Sequence, residues 1–158
     1  MQATADDLPH LRDAMSLAAR AAQRGNRPFG AVIVGTDGAR LAAAENSATT
    51  DNDVAAHAEM NAIRMVCRSA GQAQLNGAAI YASGEPCPMC AGAIVRFGLR
   101  RIVFGRSWST LAPAIGTQAA GVHVAVGAIA ALAPHDITVI GPCDLAQHHI
   151  DKPGMVTT

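Results

Sequence analysis

The sequence predicts an α/β fold, a three-layer α/β/α sandwich around a central mixed sheet of five strands. The first observation is that five short runs have the length of strands and an apolar or alternating character. These runs cover residues 29–34, 40–44, 78–82, 101–104 and 137–140. The second observation is that segments with helical spacing separate most of these runs. Such an order is typical of one sheet packed between helical layers.

The first predicted elements are a helix and a hairpin. Apolar residues recur on one helical face over residues 8–22, and Gly25 is a typical C-terminal stop. The strand over 29–34 follows. Because Asp37-Gly38 is a hairpin signal, we expect the run over 40–44 to return antiparallel.

The rest of the chain alternates strands with helices and loops. The predicted segments are a polar loop over 45–53, a second helix over 55–70, a linker over 71–77, a third helix ending near residue 97, a functional or irregular loop over 107–121 and a weak helix over 124–132. His57 and Glu59 then fall in the first turn of the second helix, and Cys67 falls on its buried side. No repeat or interdomain linker is visible, so we predict one domain over residues 1–158.

Composition and charge restrict the possible partners. Twelve Lys and Arg residues balance twelve Asp and Glu residues, whereas nucleic-acid binders usually carry a basic surplus. A nucleic-acid partner is therefore not expected. The run over 111–134 lacks charged residues, but Gly and Pro interrupt it, so no membrane span is expected. The polar N-terminus carries Asp6 and Asp7 and predicts no secretory signal, so the reducing cytoplasm is the expected compartment.

One motif carries most of the predicted chemistry. Cys87 and Cys90 lie one helical turn apart at the start of the third helix, where the backbone favours thiolates. Together with the imidazole of His57, they can hold three positions of a tetrahedral Zn²⁺ and leave the fourth open to water. Glu59, two residues after His57, is expected to lean over that water as a proton carrier and not as a ligand. This set is suited to hydrolytic deamination of an aminated ring.

Two simpler interpretations of the Cys-x-x-Cys motif compete with a catalytic zinc site. One is a redox pair, although no thioredoxin-like context precedes Cys87 and a histidine and a glutamate accompany it. The other is a structural zinc site, which requires a fourth Cys or His at motif spacing. Cys143 lies far downstream, so the sequence favours the catalytic site over both.

The segment His57-Ala58-Glu59 followed by Pro86-Cys87-Pro88-Met89-Cys90 resembles the zinc-dependent cytidine and deoxycytidylate deaminase superfamily. The resemblance covers roughly residues 8–106. It implies a cytidine deaminase-like fold and one Zn²⁺ per chain held by His57, Cys87 and Cys90. It also implies that Glu59 is the catalytic proton carrier. The family resemblance further implies a homodimer, because these small domains usually complete the pocket with a neighbouring copy.

The resemblance extends to candidate substrate contacts. Phe29 lies in a segment similar to the family's first-strand pattern, and Asn46 stands where these enzymes place an asparagine that bonds the substrate ring. The backbone near Ala58 and the ring of Trp108 complete the implied set. Simpler roles remain open for three of these residues: Asn46 as a loop cap, Phe29 as a core residue and Trp108 as a packing residue. Glu85 is expected to fix the turn before Cys87.

The implied substrate is a small amino-heterocycle. Residues 49–59 resemble bacterial guanine deaminases, whereas 107–111 are similar to deaminases of cytosine-like bases and amino-triazines. We therefore expect hydrolysis by water of guanine, cytosine or a related base, or its nucleoside, with release of ammonia. The alternatives are a tRNA adenosine deaminase and a non-catalytic zinc-binding subunit. The carboxylate of Glu59 favours an enzyme, and the lone basic Lys152 after residue 141 does not favour a tRNA reader.

Overall fold

The computed structural model of the protein describes residues 2–115 and 124–145. Its helices are α1 (Asp7–Gln23), α2 (Ala58–Ser69), α3 (Pro88–Arg96), α4 (Trp108–Ile115) and α5 (Val126–Ala130). Its strands are β1 (Gly30–Val34), β2 (Arg40–Glu45), β3 (Ala79–Gly84), β4 (Arg101–Arg106) and β5 (Thr138–Ile140). The predicted strands are thus confirmed, with ends that differ by one or two residues.

The strands form one mixed sheet with the order β2-β1-β3-β4-β5. Strand β1 is antiparallel to both β2 and β3, so Ala31 lies opposite Ala44 on one side and Ala82 on the other. Strands β3, β4 and β5 are parallel. The mixed five-stranded sheet that the sequence predicts is therefore confirmed. A hairpin joins β1 to β2, whereas connections that carry the helices α2 and α3 lead from β2 to β3 and from β3 to β4.

Alternate residues of each strand face opposite helical layers. Ile33, Ile80 and Ile102 are fully buried in one cluster, which also contains buried residues of α2, α3 and α5. Their sequence neighbours Val32, Tyr81 and Val103 belong to a second cluster, to which α1 contributes Ala14 and Leu17. The sheet is therefore covered on both faces, as the three-layer prediction requires.

Helix α1 approaches β1 too closely for a side chain at Gly30. A Cβ at this position would lie 2.5 Å from Leu17 Cβ and 2.8 Å from the backbone nitrogen of Ala18, and it would also overlap the Ala14 carbonyl oxygen. The Gly30 N–H donates to Ser83 Oγ at 3.0 Å. Glycine therefore allows the first helix to rest directly on the strand that leads into the predicted site.

The second helix begins later than predicted. It starts at Ala58, not at residue 55, and His57 is its N-cap with an extended backbone (φ −68°, ψ 155°). The reason is a turn at Asp53, whose side chain accepts the Ala55 N–H at 2.8 Å and whose carbonyl accepts the Ala56 N–H at 3.0 Å. Glu59 lies in the first helical turn as predicted.

The predicted loop over 107–121 is wrong for its first part, because residues 108–115 form helix α4. Residues 116–121 lie outside the described ranges. Two smaller differences concern neighbouring segments. The predicted linker contains a 3-10 turn at Gln72–Leu75 that buries Leu75, and α5 is shorter than the predicted helix over 124–132.

A buried carboxylate joins the start of α1 to the sheet. The Asp7 side chain accepts hydrogen bonds from Tyr81 Oη at 2.9 Å, from Arg101 Nη2 at 2.6 Å and from the Thr4 backbone at 2.7 Å. Burial by itself raises the pKa of the Asp7 carboxyl, but the hydrogen bonds from Arg101, Thr4 and Tyr81 together hold that pKa below its ordinary value. These bonds therefore stabilise the ionised form in the folded protein.

We expect Asp7→Asn to lower the free energy of unfolding at neutral pH by roughly 1–3 kcal/mol, since Arg101 loses its buried partner. The native pKa is depressed, so this stabilisation is complete above the unfolded pKa of about 4 and is lost as pH falls through the native pKa. Urea unfolding of both proteins from neutral pH down to about pH 3 measures the difference.

The matched control for this prediction is Asp13→Asn on the same helix. Asp13 pairs with Arg40 at 3.0 Å, but about half of each side chain is exposed. We expect it to change stability by less than about 1 kcal/mol. The Asp7 network does not have the assigned role if Asp7→Asn lowers the free energy of unfolding as little as Asp13→Asn does. The same conclusion follows if the loss caused by Asp7→Asn is as large in acid as at neutral pH.

Candidate metal centre and active site

Three side chains with metal-binding atoms converge at one point. The Nδ1 atom of His57 lies 3.5 Å from the Sγ atoms of both Cys87 and Cys90. The two sulfur atoms lie 3.6 Å apart. Within residues 2–115 and 124–145, this is the one group of at least three His, Cys, Asp or Glu residues with such spacing.

These distances fit a zinc ion. Typical Zn–S and Zn–N bond lengths in tetrahedral geometry place the ligand atoms about 3.6–3.8 Å apart. Two sulfurs and one imidazole nitrogen are also ligands that zinc prefers. His57, Cys87 and Cys90 therefore form a candidate zinc site with three protein ligands, the number found in catalytic and not in structural zinc sites.

The geometry favours a metal site over a redox pair at the Cys-x-x-Cys motif, because His57 Nδ1 lies 3.5 Å from both sulfur atoms. At 3.6 Å the sulfur atoms of Cys87 and Cys90 are not bonded, and all four cysteines are free thiols. The structural-zinc alternative needs a fourth ligand, and Cys143 does not belong to the ligand group. Both alternatives that the sequence left open are therefore disfavoured.

Two helix N-termini point the ligands at the site. His57 is the N-cap of α2, and Cys87 is the N-cap of α3, with Pro88 as the first helical residue. Pro88 is favourable there, because the first N–H of a helix has no intrahelical partner. The positive ends of both helix dipoles lie close to the sulfur atoms, which favours their anionic form.

The two thiols differ in their proton affinity. The hydrogen bond from Cys90 and the contact with His57 lower the pKa of Cys87 to about 4. The same hydrogen bond, together with burial, raises the pKa of the Cys90 thiol above its ordinary range. A divalent cation between the sulfurs would favour the thiolate form of both cysteines.

Glu59 lies beside the ligands but is not one of them. Its Oε2 is 3.5 Å from Cys90 Sγ, and the residue is 6 % exposed. Burial is the main cause that raises the pKa of its carboxyl group. A buried carboxyl group with a raised pKa next to three ligands is suited to accept and return a proton.

Asn46 is buried at the end of β2, where the polar loop begins. Its Oδ1 accepts the Ala48 N–H at 3.2 Å, so the loop-cap role is real. Within the described residues its Nδ2 makes no hydrogen bond, so that donor is available to another group. Both roles weighed from the sequence are therefore compatible with the geometry.

Two further asparagines, which the sequence did not single out, hold this loop. Asn61 Nδ2 donates to the carbonyl of Glu45, to Ser47 Oγ and to the carbonyl of Ala56. Asn26 Oδ1 accepts the backbone N–H groups of the neighbouring residues 49 and 50. Asn61 stands between apolar residues in the sequence and Asn26 stands in the loop before β1, and these positions are the only sequence signal that could have indicated their role.

The remaining predicted contacts lie on segments that surround the ligands. The Ala58 N–H is at the start of α2, where backbone donors have no intrahelical partners. A Cβ at Gly84 would lie 2.9 Å from Phe29 Cε1 and 2.6 Å from Leu111 Cδ1, so both side chains pack over this end of β3. Phe29 also packs against the main core cluster. Trp108 is half-buried at the first residue of α4.

Glu85 does more than fix the turn before Cys87. Its two carboxylate oxygens accept the backbone N–H groups of Trp108 and Val126, the first residues of α4 and α5. The sequence predicted only the local role.

Among the described helices, none combines the length and the hydropathy that crossing a bilayer requires.

Comparison with known proteins agrees with this site. Residues 5–106 match the family model for the cytidine and deoxycytidylate deaminase zinc-binding region. A guanine deaminase of Bacillus subtilis is 51% identical over 85 residues, which are 53% of this chain and 54% of that protein. The chain thus spans about half the length of this relative.

Two further relatives cover more of the chain. A probable cytosine deaminase of Schizosaccharomyces pombe is 35% identical over 140 residues, 86% of this chain and 83% of that protein. A structure from work on A-to-I editing by tRNA:A34 deaminases has a TM-score of 0.66 at 35% identity. It covers 84% of this chain and 95% of its own. The match over residues 5–106 shows the family, and the mixed sheet and the ligand set agree with it. The chain belongs to the cytidine and deoxycytidylate deaminase zinc-binding family.

Proposed function

We propose that this protein hydrolyses the exocyclic amine of a small amino-heterocycle, a free nucleobase or its nucleoside, and releases ammonia. The observation that carries the proposal is the position of Glu59. Its buried carboxyl group lies 3.5 Å from Cys90 Sγ, beside a three-ligand zinc site. A structural or redox site has no use for a buried acid at this point, whereas hydrolysis needs a proton carrier there.

The balanced reaction converts C–NH₂ and H₂O into C=O and NH₃. Zinc bound by His57, Cys87 and Cys90 supplies the chemistry that lowers the pKa of water toward about 7. Glu59 accepts one proton from the attacking water and delivers it to a ring nitrogen. It then accepts the proton of the new C–OH group and delivers it to the leaving amine, so both protons of the water are accounted for. Burial raises the pKa of the Glu59 carboxyl group, which favours the protonated form that a proton donor needs.

The substrate ring is oriented by Asn46, Ala58, Phe29 and Trp108. The free Nδ2 of Asn46 donates to a ring acceptor, and the Ala58 N–H, at the positive end of α2, donates to a carbonyl oxygen of the substrate. Phe29 contacts one side of the ring, and Trp108 stacks against it. Planar, polar-edged heterocycles match such a combination of directed donors and aromatic walls.

The named relatives and the net charge of the chain both favour a free base as the substrate. The guanine and cytosine deaminases named above act on bases, and the chain has a formal net charge of zero. The test is an ammonia-release screen of the zinc-loaded protein with guanine, cytosine, isocytosine, an amino-triazine and the corresponding nucleosides. We expect at least one base to react with kcat/KM on the order of 10⁴ M⁻¹s⁻¹ or higher. A panel without any ammonia release contradicts the proposed substrate class.

A tRNA adenosine deaminase is the second candidate function. The observation that favours it is the structural match, which covers 95% of a chain from work on tRNA:A34 deaminases. Inosine formation in tRNA, together with binding that falls steeply with salt, supports this function. Ammonia release from free bases, without tRNA binding at physiological salt, supports the first.

We also propose a homodimer that works in the reducing cytoplasm. Met89, between the two cysteine ligands, is 40 % exposed, and Val54, just before His57, is 91 % exposed. A second copy that covers these apolar side chains also closes the site from outside. Light scattering tests the dimer, with about twice the 16.2 kDa chain mass expected.

Reduced thiols at Cys87 and Cys90 suit the proposed compartment.

A further inference from the structure

Glu85 connects three segments that are distant in sequence. Its Oε2 accepts the Trp108 N–H at 3.0 Å, and its Oε1 accepts the Val126 N–H at 3.1 Å. Its own N–H donates to the carbonyl of Arg106 at 2.8 Å, where β4 ends. One half-buried side chain, two residues before Cys87, thus holds the starts of both α4 and α5.

These bonds matter because neither helix can fix its own position. The first N–H groups of a helix have no intrahelical acceptor, and an ionised carboxylate is a strong acceptor for them. Helix α5 has five residues and α4 has eight, too few to be stable in isolation. Their placement therefore depends on tertiary contacts, among them the two hydrogen bonds to the carboxylate of Glu85, two residues before Cys87.

A second contact also holds α4 beside the turn that contains Glu85. Leu111, one turn after Trp108, packs over Gly84 together with the ring of Phe29. The Glu85 bond and this packing together fix the start of α4 directly beside the ligand turn. Trp108 is the first residue of that helix, so its ring position depends on both.

We propose that Glu85 is a positioning residue that fixes Trp108, and with it the α4 side of the substrate pocket, relative to the metal-ligand turn. The substrate contact of Trp108 rests on the proposed function, whereas the anchoring of α4 does not. Both Glu85 oxygens accept backbone N–H groups, so its role is to hold the pocket and not to contact the reacting atoms.

The chain offers a direct probe, because Trp108 is its one tryptophan. In Glu85→Gln, the amide NH₂ must face one of the two N–H donors, and the remaining amide oxygen is a weaker acceptor than a carboxylate, so the anchoring of both helices weakens. We expect acrylamide quenching of Trp108 fluorescence to rise about twofold, with a red-shifted emission, while zinc content stays unchanged. With the base found in the ammonia screen, we expect KM to rise about tenfold and kcat to change less than about threefold.

Two variants sharpen the test. Asp37→Asn removes another carboxylate that accepts a backbone N–H, at the remote β1–β2 turn, and should leave quenching and KM unchanged. Glu85→Asp keeps the charge but is one methylene shorter, so it cannot reach both donors and should show an intermediate quenching increase. If Glu85→Gln does not fold, the same quenching measurement on Glu85→Asp tests the inference.

Wild-type quenching and emission in folded Glu85 variants would overturn the inference, even if the enzyme is active on bases. A quenching increase with no activity on any base would leave the anchoring role intact and refute the proposed function instead. A tenfold fall in kcat at constant KM would also contradict the inference, since it would place Glu85 in the chemical step.

Discussion

Glu59→Gln is expected to lower ammonia release by about 10²–10⁴-fold while zinc stays at one ion per chain. Glutamine has nearly the same shape as glutamate but cannot accept and return a proton. Glu59 is not among the three metal ligands, so its neutral replacement should not release the ion. Zinc analysis of the purified variant and a coupled ammonia assay measure both parts of this prediction. Glu59→Ala is expected to abolish turnover in the same way.

Asp13→Asn serves again as the control, because this exposed carboxylate on α1 pairs only with Arg40 among the recorded ion pairs of the described residues. It should retain activity within about twofold. Ammonia release by Glu59→Gln at a rate close to that of the wild type would show that another group carries the proton.

Cys90→Ala is expected to lose zinc together with activity. Removing one of three protein ligands leaves an incomplete site, and we expect metal affinity to fall at least about 100-fold. Because zinc binds the folded protein in preference to the unfolded chain, its loss should also lower stability by about 3–4 kcal/mol, or roughly 10 °C in Tm. Zinc analysis and thermal unfolding, with and without added zinc, measure the two effects.

The control for this variant is Cys67→Ala on α2. Cys67 is half-buried against the main core cluster and is not part of the ligand group. It should lose about 1 kcal/mol or less and keep its full zinc content and activity. Equal zinc content in Cys90→Ala and Cys67→Ala would refute the ligand assignment.

The candidate site was predictable because its signals are local in sequence. Cys87 and Cys90 are three residues apart at a helix start, and the two-residue spacing of His57 and Glu59 gives them different directions. The five strands were likewise predictable, since each is a short run of apolar or alternating character. The convergence of His57 and Glu59 with the two cysteines requires β2 and β3 to end at the same edge of the sheet, because α2 follows β2 and α3 follows β3. The order of the elements in the sequence is compatible with this arrangement but does not determine it.

The errors arose where distant residues decide the local structure. Helix α4 begins at Trp108 because Glu85, 23 residues earlier, accepts its N–H. The Pro and polar residues of this segment predicted a loop, and Pro113 does lie inside the helix. The roles of Asn26 and Asn61 also depend on bonds across the fold. Such bonds have no local pattern in the sequence, so only the structure reveals them.

The most direct test of the central claim is X-ray absorption at the zinc edge of the purified protein. The account predicts two sulfur ligands at about 2.3 Å and two nitrogen or oxygen ligands at about 2.0–2.1 Å, one of them exchangeable with solvent. Glu59→Gln should give the same spectrum, because Glu59 is not a ligand. A closed shell of four protein ligands, or a spectrum without two sulfurs, would contradict a catalytic zinc centre built from His57, Cys87 and Cys90.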